Sequence, residues 1–241
     1  MEIRLNKFLS RAGVASRREA DRLIAEGRIS VNGQAVMKLG TKVDPELDKV
    51  QVDGRMIKTD SGPVHVMLNK PAGYLVTLRD PFGRPTVRTL MPKLKARVFP
   101  VGRLDAASEG LLLLTNDGEL AHRLSHPRFE VKKVYVAKVR GLPEKESLHR
   151  LERGLVIEGR MTAPARAVIL SHKPGESVLR IELHEGRKRE IRKMCEIVGH
   201  PVLELRRTEY AGLALKHLKT GEWRLLTSAE IARLRRQVGL E

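Results

Sequence analysis

Residues 133–139 read KVYVAKV, with Val134 and Val136 on one side of an alternation and Lys133, Tyr135 and Ala137 on the other. That two-residue period, carried by β-branched and aromatic side chains, predicts a strand. Tyr135 then turns its ring away from the face that the valines pack. Three more segments read as strands: VHVMLN at 64–69, APARAVIL at 163–170 and SVLRIEL at 177–183. They outnumber the helical stretches around them and do not alternate regularly with them. Parallel strands need crossover helices, so this pattern predicts an α+β domain built on a mainly antiparallel sheet.

The clearest helix in that region is RKREIRKMCEIV at 187–198, where Ile191, Met194, Cys195 and Val198 repeat at i, i+3, i+4 and i+7. This is a buried stripe with a cationic face opposite. Arg192 falls on the flank of the stripe, where a half-buried guanidinium could meet a carboxylate in a cleft. Arg187, Lys188, Arg189 and Lys193 read as a solvated face that touches phosphates.

Ahead of residue 58 the pattern changes. Leu5, Phe8 and Leu9 repeat at helical spacing within residues 3–12, and Gly13 supplies a stop. Ser16 followed by Glu19 has the form of a capping box and opens a second helix, with Ala20, Leu23 and Ile24 on one face. In RISVNGQAV, Ile29 and Val31 alternate with polar residues before the hairpin signal Asn32-Gly33, and KVQVDG at 49–54 supplies a further strand. Arg4, Lys7, Arg11, Arg17, Arg18, Arg22 and Arg28 are available to phosphates. The polar, Gly/Pro-containing segment KTDSGP at 58–63 reads as a linker, giving domains 1–60 and 63–241.

The chain has 46 Lys+Arg against 29 Asp+Glu, a formal charge of +17, and its field attracts polyanions, with nucleic acid foremost. An apolar run such as Leu111–Leu114 is far short of the roughly 20 residues that span a bilayer, so no membrane partner is expected. The N-terminus has basic residues but no apolar core of a secretory signal, which places the protein in the cytoplasm. A single cysteine, Cys195, excludes an internal disulfide and any multi-thiolate zinc site. His122 and His126 lie one turn apart but lack the Glu of a zinc-protease helix, so no metal is expected. Neither GxxxxGK[ST] nor GxGxxG occurs, which leaves a cofactor-free reaction with no nucleotide cofactor. No heptad pattern is present, and a monomer is expected.

The chemically suggestive segment is GRLDAASEGLLLLTNDGELAHRL at 102–124. Asp105 follows a short apolar strand and precedes a turn of small residues, a position that suits a loop lining a cleft. Loop aspartates commonly serve as turn or cap residues, and Asp117 in TNDGEL reads as a helix cap in that way. Asp105 remains open between the two roles on its surroundings alone.

Several blocks together resemble the Rsu/Rlu-type ribosomal RNA pseudouridine synthases, and especially the B branch of those that modify the large ribosomal subunit. They are LNKPAG at 68–73, DPFGRPTV at 80–87, PVGRLDAASEGLLLLTNDGELA at 100–121, KVYVAKVRG at 133–141 and EGRKREIRKMCEIVGHPV at 185–202. LNKFLSRAGVASRREADRLIAEGRISVNG at 5–33 resembles the alpha-L RNA-binding module of a small-subunit ribosomal protein. The resemblance implies that Asp105 is the catalytic carboxylate, that Tyr135 packs on the target base and that Arg192 pairs with Asp105. It implies ribosomal RNA of the large subunit as partner. Arg103 and Leu104 are candidates to fill the space left by a flipped nucleotide, against a phosphate contact and a core leucine. Lys70 either positions RNA or packs beneath the site. A non-catalytic RNA-binding assembly factor, or a synthase acting on small-subunit or transfer RNA, are the competing readings.

Overall fold

The computed structural model describes residues 1–57, 62–91, 94 and 96–240. The chain divides into two compact units, Met1–Val64 with Lys93–Val98, and His65–Pro92 with Phe99–Glu241. Of the linker expected at 58–63, residues 58–61 lie outside the described residues. No helix among the described residues is long and apolar enough to cross a membrane.

The first unit runs β1 (Ile3–Arg4), α1 (Leu5–Arg11), α2 (Arg17–Ala25), β2 (Ile29–Val31), β3 (Gln34–Ala35), β4 (Lys42–Val43), β5 (Val50–Val52) and β6 (Arg55–Met56). Leu5, Phe8 and Leu9 of α1 pack with Ala20, Leu23 and Ile24 of α2 over Ile29, Val43 and Val50. The Ser16 hydroxyl accepts the Glu19 N–H at 3.2 Å, which caps α2 as its spacing predicts. Asn32 and Gly33 both take positive φ, at 52° and 82°, the backbone of a two-residue hairpin turn between β2 and β3.

The second unit contains β7 (His65–Lys70), β8 (Phe99–Val101), β9 (Glu109–Thr115), α3 (Gly118–Ser125), β10 (Lys133–Arg140), α4 (Lys145–Arg153), β11 (Val156–Ile157) and β12 (Arg160–Met161). It continues through β13 (Arg166–Lys173), β14 (Glu176–Leu183), α5 (Glu190–Ile197), β15 (Val202–Tyr210), β16 (Leu213–Ala214), β17 (Trp223–Leu225) and α6 (Ser228–Gln237). Its main sheet has the order β13-β14-β10-β15-β9-β7-β17, with β8 and β16 paired at the side. All of these pairings are antiparallel except β15 with β9, so the α+β reading holds with one parallel seam. The run Leu111–Leu114 is buried throughout because β9 is a central strand covered on both faces.

Several features differ from those read in the sequence. Strand β13 starts at Arg166 rather than 163, since the Ala163 N–H turns to the Glu185 carboxylate. Helix α5 starts at Glu190 rather than 187, because Arg189 sits at φ 55°, a left-handed conformation outside the helix. Strand β15 was not anticipated. Its inward positions include Leu205, Arg207 and Tyr210, and an arginine turned inward hides the two-residue period.

The parallel seam rests on a glycine. Gly110 has φ 107°, and a Cβ placed there would lie 2.2 Å from the Arg207 carbonyl oxygen and 2.7 Å from its nitrogen. Only a residue without a side chain lets β9 and β15 approach this closely. Gly110→Ala is expected to lower the unfolding free energy by about 3 kcal/mol, from overpacking together with backbone strain. The measurement is the urea midpoint at unchanged m, and a loss under ~1 kcal/mol would show that the seam yields.

Candidate active site

Asp105 lies in the turn between β8 and β9, where the Ser108 N–H donates to its carbonyl at 3.0 Å. The loop is pinned from below by Lys70, at the end of β7. This side chain is fully buried, and its ammonium donates to the carbonyls of Pro71 at 2.9 Å, Tyr74 at 2.9 Å and Ala106 at 3.2 Å. Burial pushes the Lys70 pKa down to about 8, against the pull of Glu109 and Asp105. Three donated protons leave none for a phosphate, so the RNA contact expected at Lys70 is corrected to a scaffold role beneath the site.

Arg192 reaches the same loop from α5. Its guanidinium donates to the Ala107 carbonyl at 3.0 Å and to the Val202 carbonyl at 3.3 Å. Burial lowers its pKa and the charge of Asp105 raises it. The two charges therefore sense one another, but no Arg192–Asp105 ion pair closes within 4 Å among the described residues. The expected pairing is replaced by hydrogen bonds to the backbone that carries Asp105.

Asp105 and Tyr135 both line a cavity of about 650 Å³, with Lys133, Arg207 and Tyr210 among its walls. Tyr135 is buried on β10, opposite Ile181 of β14 and Arg207 of β15. Arg207 donates from Nε to the Leu111 carbonyl at 2.8 Å and lies 4.6 Å from the Tyr210 ring centroid. Arg103 is exposed and Leu104 buried, and both border the cavity. The Asp105 carboxylate has no hydrogen bond or ion pair within the described residues. By contrast, Asp80 on the same wall is bound by Arg84 at 2.7 Å.

Lys188 and Arg189 line the cavity from the turn before α5. Arg187 does too, but its guanidinium is engaged with Glu185 at 3.0 Å and with the carbonyls of Arg160 and Met161. Its place on a solvated phosphate-binding face is corrected accordingly. Lys193 is likewise paired, with Glu158. In the first unit Arg4, Arg11, Arg17 and Arg18 are exposed without ion pairs among the described residues, and Lys7 is half-buried. Arg22 is paired with Glu19 and Glu26, and Arg28 with Asp53 and Glu26.

The sequence reading passed over Lys133, Arg207, Glu185 and Glu190 as site residues. Lys133 shares the face of Tyr135 in KVYVAKV, and that alternation was signal enough to find it. Glu190 is 4 % exposed, and its carboxyl accepts the Arg187 N–H at 2.9 Å while sharing a hydrogen bond with Glu185. Burial, then Glu185, raises its pKa from the ordinary 4.5 to about 7. Between those values the folded chain holds a proton that the unfolded chain has lost. The associated stability is present below pH 4.5 and is lost as pH rises through about 7. Glu190→Gln is expected to flatten the decline of the melting temperature that Glu190 contributes between about pH 4.5 and about pH 7. Melting curves of both proteins with parallel pH dependence would refute this.

Comparison with known proteins follows the division into two units. Residues 64–197 match the RNA pseudouridylate synthase family model, and residues 3–49 match the S4 domain model. The chain is 47% identical over 234 residues to the ribosomal large subunit pseudouridine synthase B of Bacillus subtilis (strain 168), covering 96% of this chain and 95% of that one. It is 46% identical over 242 residues to an uncharacterized RNA pseudouridine synthase of Aquifex aeolicus (strain VF5), covering 100% of this chain and 97% of that one. Among solved structures, a crystal structure of a pseudouridylate synthase aligns with TM-score 0.70 at 27% identity, covering 96% of this chain and 99% of that one.

Proposed function

The chain belongs to the RNA pseudouridylate synthase family, with an S4 domain at its N-terminus, and from this we propose that it converts a uridine of large-subunit ribosomal RNA to pseudouridine, with Asp105 as the catalytic carboxylate. The supporting observation is the Asp105 side chain itself, which borders the cavity without a hydrogen-bond or ion-pair partner among the described residues while Lys70 and Arg192 fix the loop beneath it. A turn or cap aspartate would spend its oxygens on backbone N–H groups, as Asp117 does on Glu119 and Leu120 at 3.0 and 3.1 Å. The choice of large-subunit RNA over small-subunit or transfer RNA leans on the name of the Bacillus relative.

The reaction breaks the bond between uracil N1 and ribose C1′, turns the base and rejoins it through C5. Asp105 either attacks C1′ as a nucleophile or removes the 2′ proton as a base, and both routes need the ionised acid. Tyr135 offers a ring against which the loose base packs. A stacked uridine is out of reach of such a cavity, so the nucleotide is flipped out at a cost of a few kcal/mol. Arg103, exposed at the mouth, is the better placed to occupy the vacated space, whereas Leu104 belongs to the wall. Residues 1–60 act as the RNA-binding domain and 63–241 as the catalytic domain, in a cytoplasmic monomer. The tethered first domain raises affinity through phosphate contacts without doing chemistry.

Asp105→Asn is expected to abolish pseudouridine formation on large-subunit ribosomal RNA while changing RNA affinity by no more than about threefold, under ~1 kcal/mol. Full activity in this variant would sink the assignment. Replacing Arg17 and Arg18 with glutamate is expected to lower the slope of log affinity against log salt by about 2. An unchanged slope would place the RNA elsewhere.

A further inference from the structure

One cationic group in the cavity has no part in the roles assigned above. Lys133 and Tyr135 leave β10 on the same face, two residues and so roughly 7 Å apart. The Lys133 ammonium donates one hydrogen bond, to the Val131 carbonyl at 2.8 Å, and no carboxylate closes on it within 4 Å among the described residues. It stands 5.7 Å from the Tyr210 ring centroid, which Arg207 approaches at 4.6 Å. Arg207 is 2 % exposed, and its Nη2 is buried without a partner. Two cations therefore share one aromatic ring in the cavity wall, and neither has a counter-ion among the described residues.

The charged groups that face Lys133 from other elements are Arg207 on β15, Glu185 in the loop before α5 and Glu190 on α5. Both carboxylates are already engaged, with Arg187 and with each other. Burial and then Arg207 bring the Lys133 pKa down to about 8, outweighing the two glutamates. Uncompensated cations in a partly desolvated site raise the free energy of the empty enzyme, and a negative charge arriving beside them relieves it.

We propose that the Lys133 ammonium, backed by the charge of Arg207, holds the detached uracil as an anion during the isomerisation. The inference rests on the synthase reading, with Asp105 at the ribose and Tyr135 at the base. When C1′–N1 breaks, its electron pair leaves with the base and one negative charge spreads over N1 and the two carbonyl oxygens. Lys133 receives an oxygen of that anion, while the deficit at C1′ is met by Asp105 or by loss of the 2′ proton. After rotation C5 returns an electron pair to C1′ as the Asp105–C1′ bond breaks, or as Asp105 gives the 2′ proton back to C2′; the C5 proton departs and N1 gains a proton, so the product is an isomer of the substrate. Charge appears on the base only in mid-reaction, so a donor placed there accelerates turnover without strengthening ground-state binding.

The test is single-turnover conversion of saturating, transcribed large-subunit ribosomal RNA, alongside RNA affinity as a function of salt. Lys133→Met is expected to slow conversion by ~100-fold or more, with affinity within about threefold. In the wild type the rate falls as pH rises above about 8, where Lys133 loses its proton. Lys133→Arg is expected to keep most of the rate and to lose that alkaline decline, a signature that a packing role would not give. Should Lys133→Met unfold, the pH profile of Lys133→Arg decides alone. A rate within threefold of wild type in Lys133→Met would overturn the proposal. So would weakened affinity with a shallower salt slope and an unchanged rate, which would assign the ammonium to a phosphate. If Asp105→Asn is dead and Lys133→Met fully active, this inference alone fails, whereas an active Asp105→Asn removes the synthase reading itself.

Discussion

A lysine ammonium buried beyond the reach of solvent is held by three carbonyl oxygens, of Pro71, Tyr74 and Ala106, under the loop that carries Asp105. Burying that charge costs free energy, and only well-directed acceptors offset it. The same ammonium therefore dictates the path of two chain segments at once, the turn after β7 and the turn before β9. Arg192 repeats the device from the opposite side through the Ala107 carbonyl. Loops ordinarily are the most mobile parts of a fold. This one is fixed through its backbone by two cations, so its carboxylate is free to face the cavity.

The sheet supplies what the loop cannot. Tyr135 and Lys133 come from β10, Arg207 and Tyr210 from β15, and Asp105 from the turn entering β9, three strands that lie side by side. The β15–β9 seam sets how far Asp105 stands from the Tyr135 ring, and Gly110 sets the seam. A chemical site built on neighbouring strands inherits their spacing, which is why a small change at a glycine with no chemistry of its own bears on the geometry of the cavity.

Where each element obeys a simple period, the sequence was a sufficient guide. The alternation in KVYVAKV, the Ser16 cap, the Asn32-Gly33 turn and the apolar stripe of α5 all appear where local physics puts them. Several of the failures share a cause, polar side chains that satisfy partners which periodicity does not reveal. Arg207 sits inward on β15 because it finds the Leu111 carbonyl, 96 residues away in sequence. Arg187 leaves the helical face because Glu185 and the carbonyls of the β12 hairpin take its guanidinium. Lys70 stays open between an RNA contact and packing beneath the site until its three acceptors are seen. For Asp105, composition and spacing left cap and catalyst open; the accounting of its oxygens against those of Asp117 speaks against the cap.

A net charge of +17 draws RNA toward the protein but favours no particular nucleotide. Selectivity for chemistry must arise where the charges are not simply additive. Around the cavity most of them cancel locally: Asp80 with Arg84, Glu185 with Arg187, Glu190 with the Arg187 backbone. Among the groups left over are the carboxylate of Asp105 and the ammonium of Lys133, each without a counter-ion of its own among the described residues. Neither can relax toward the other freely, since Asp105 is tethered through its loop and Lys133 through β10 and the Val131 carbonyl. A nucleotide that develops positive character at its sugar and negative character at its base meets both needs at once. A phosphate meets one of them at most. On the proposed mechanism, the placing of these two charges favours a glycosidic bond in the act of breaking over RNA in its resting state.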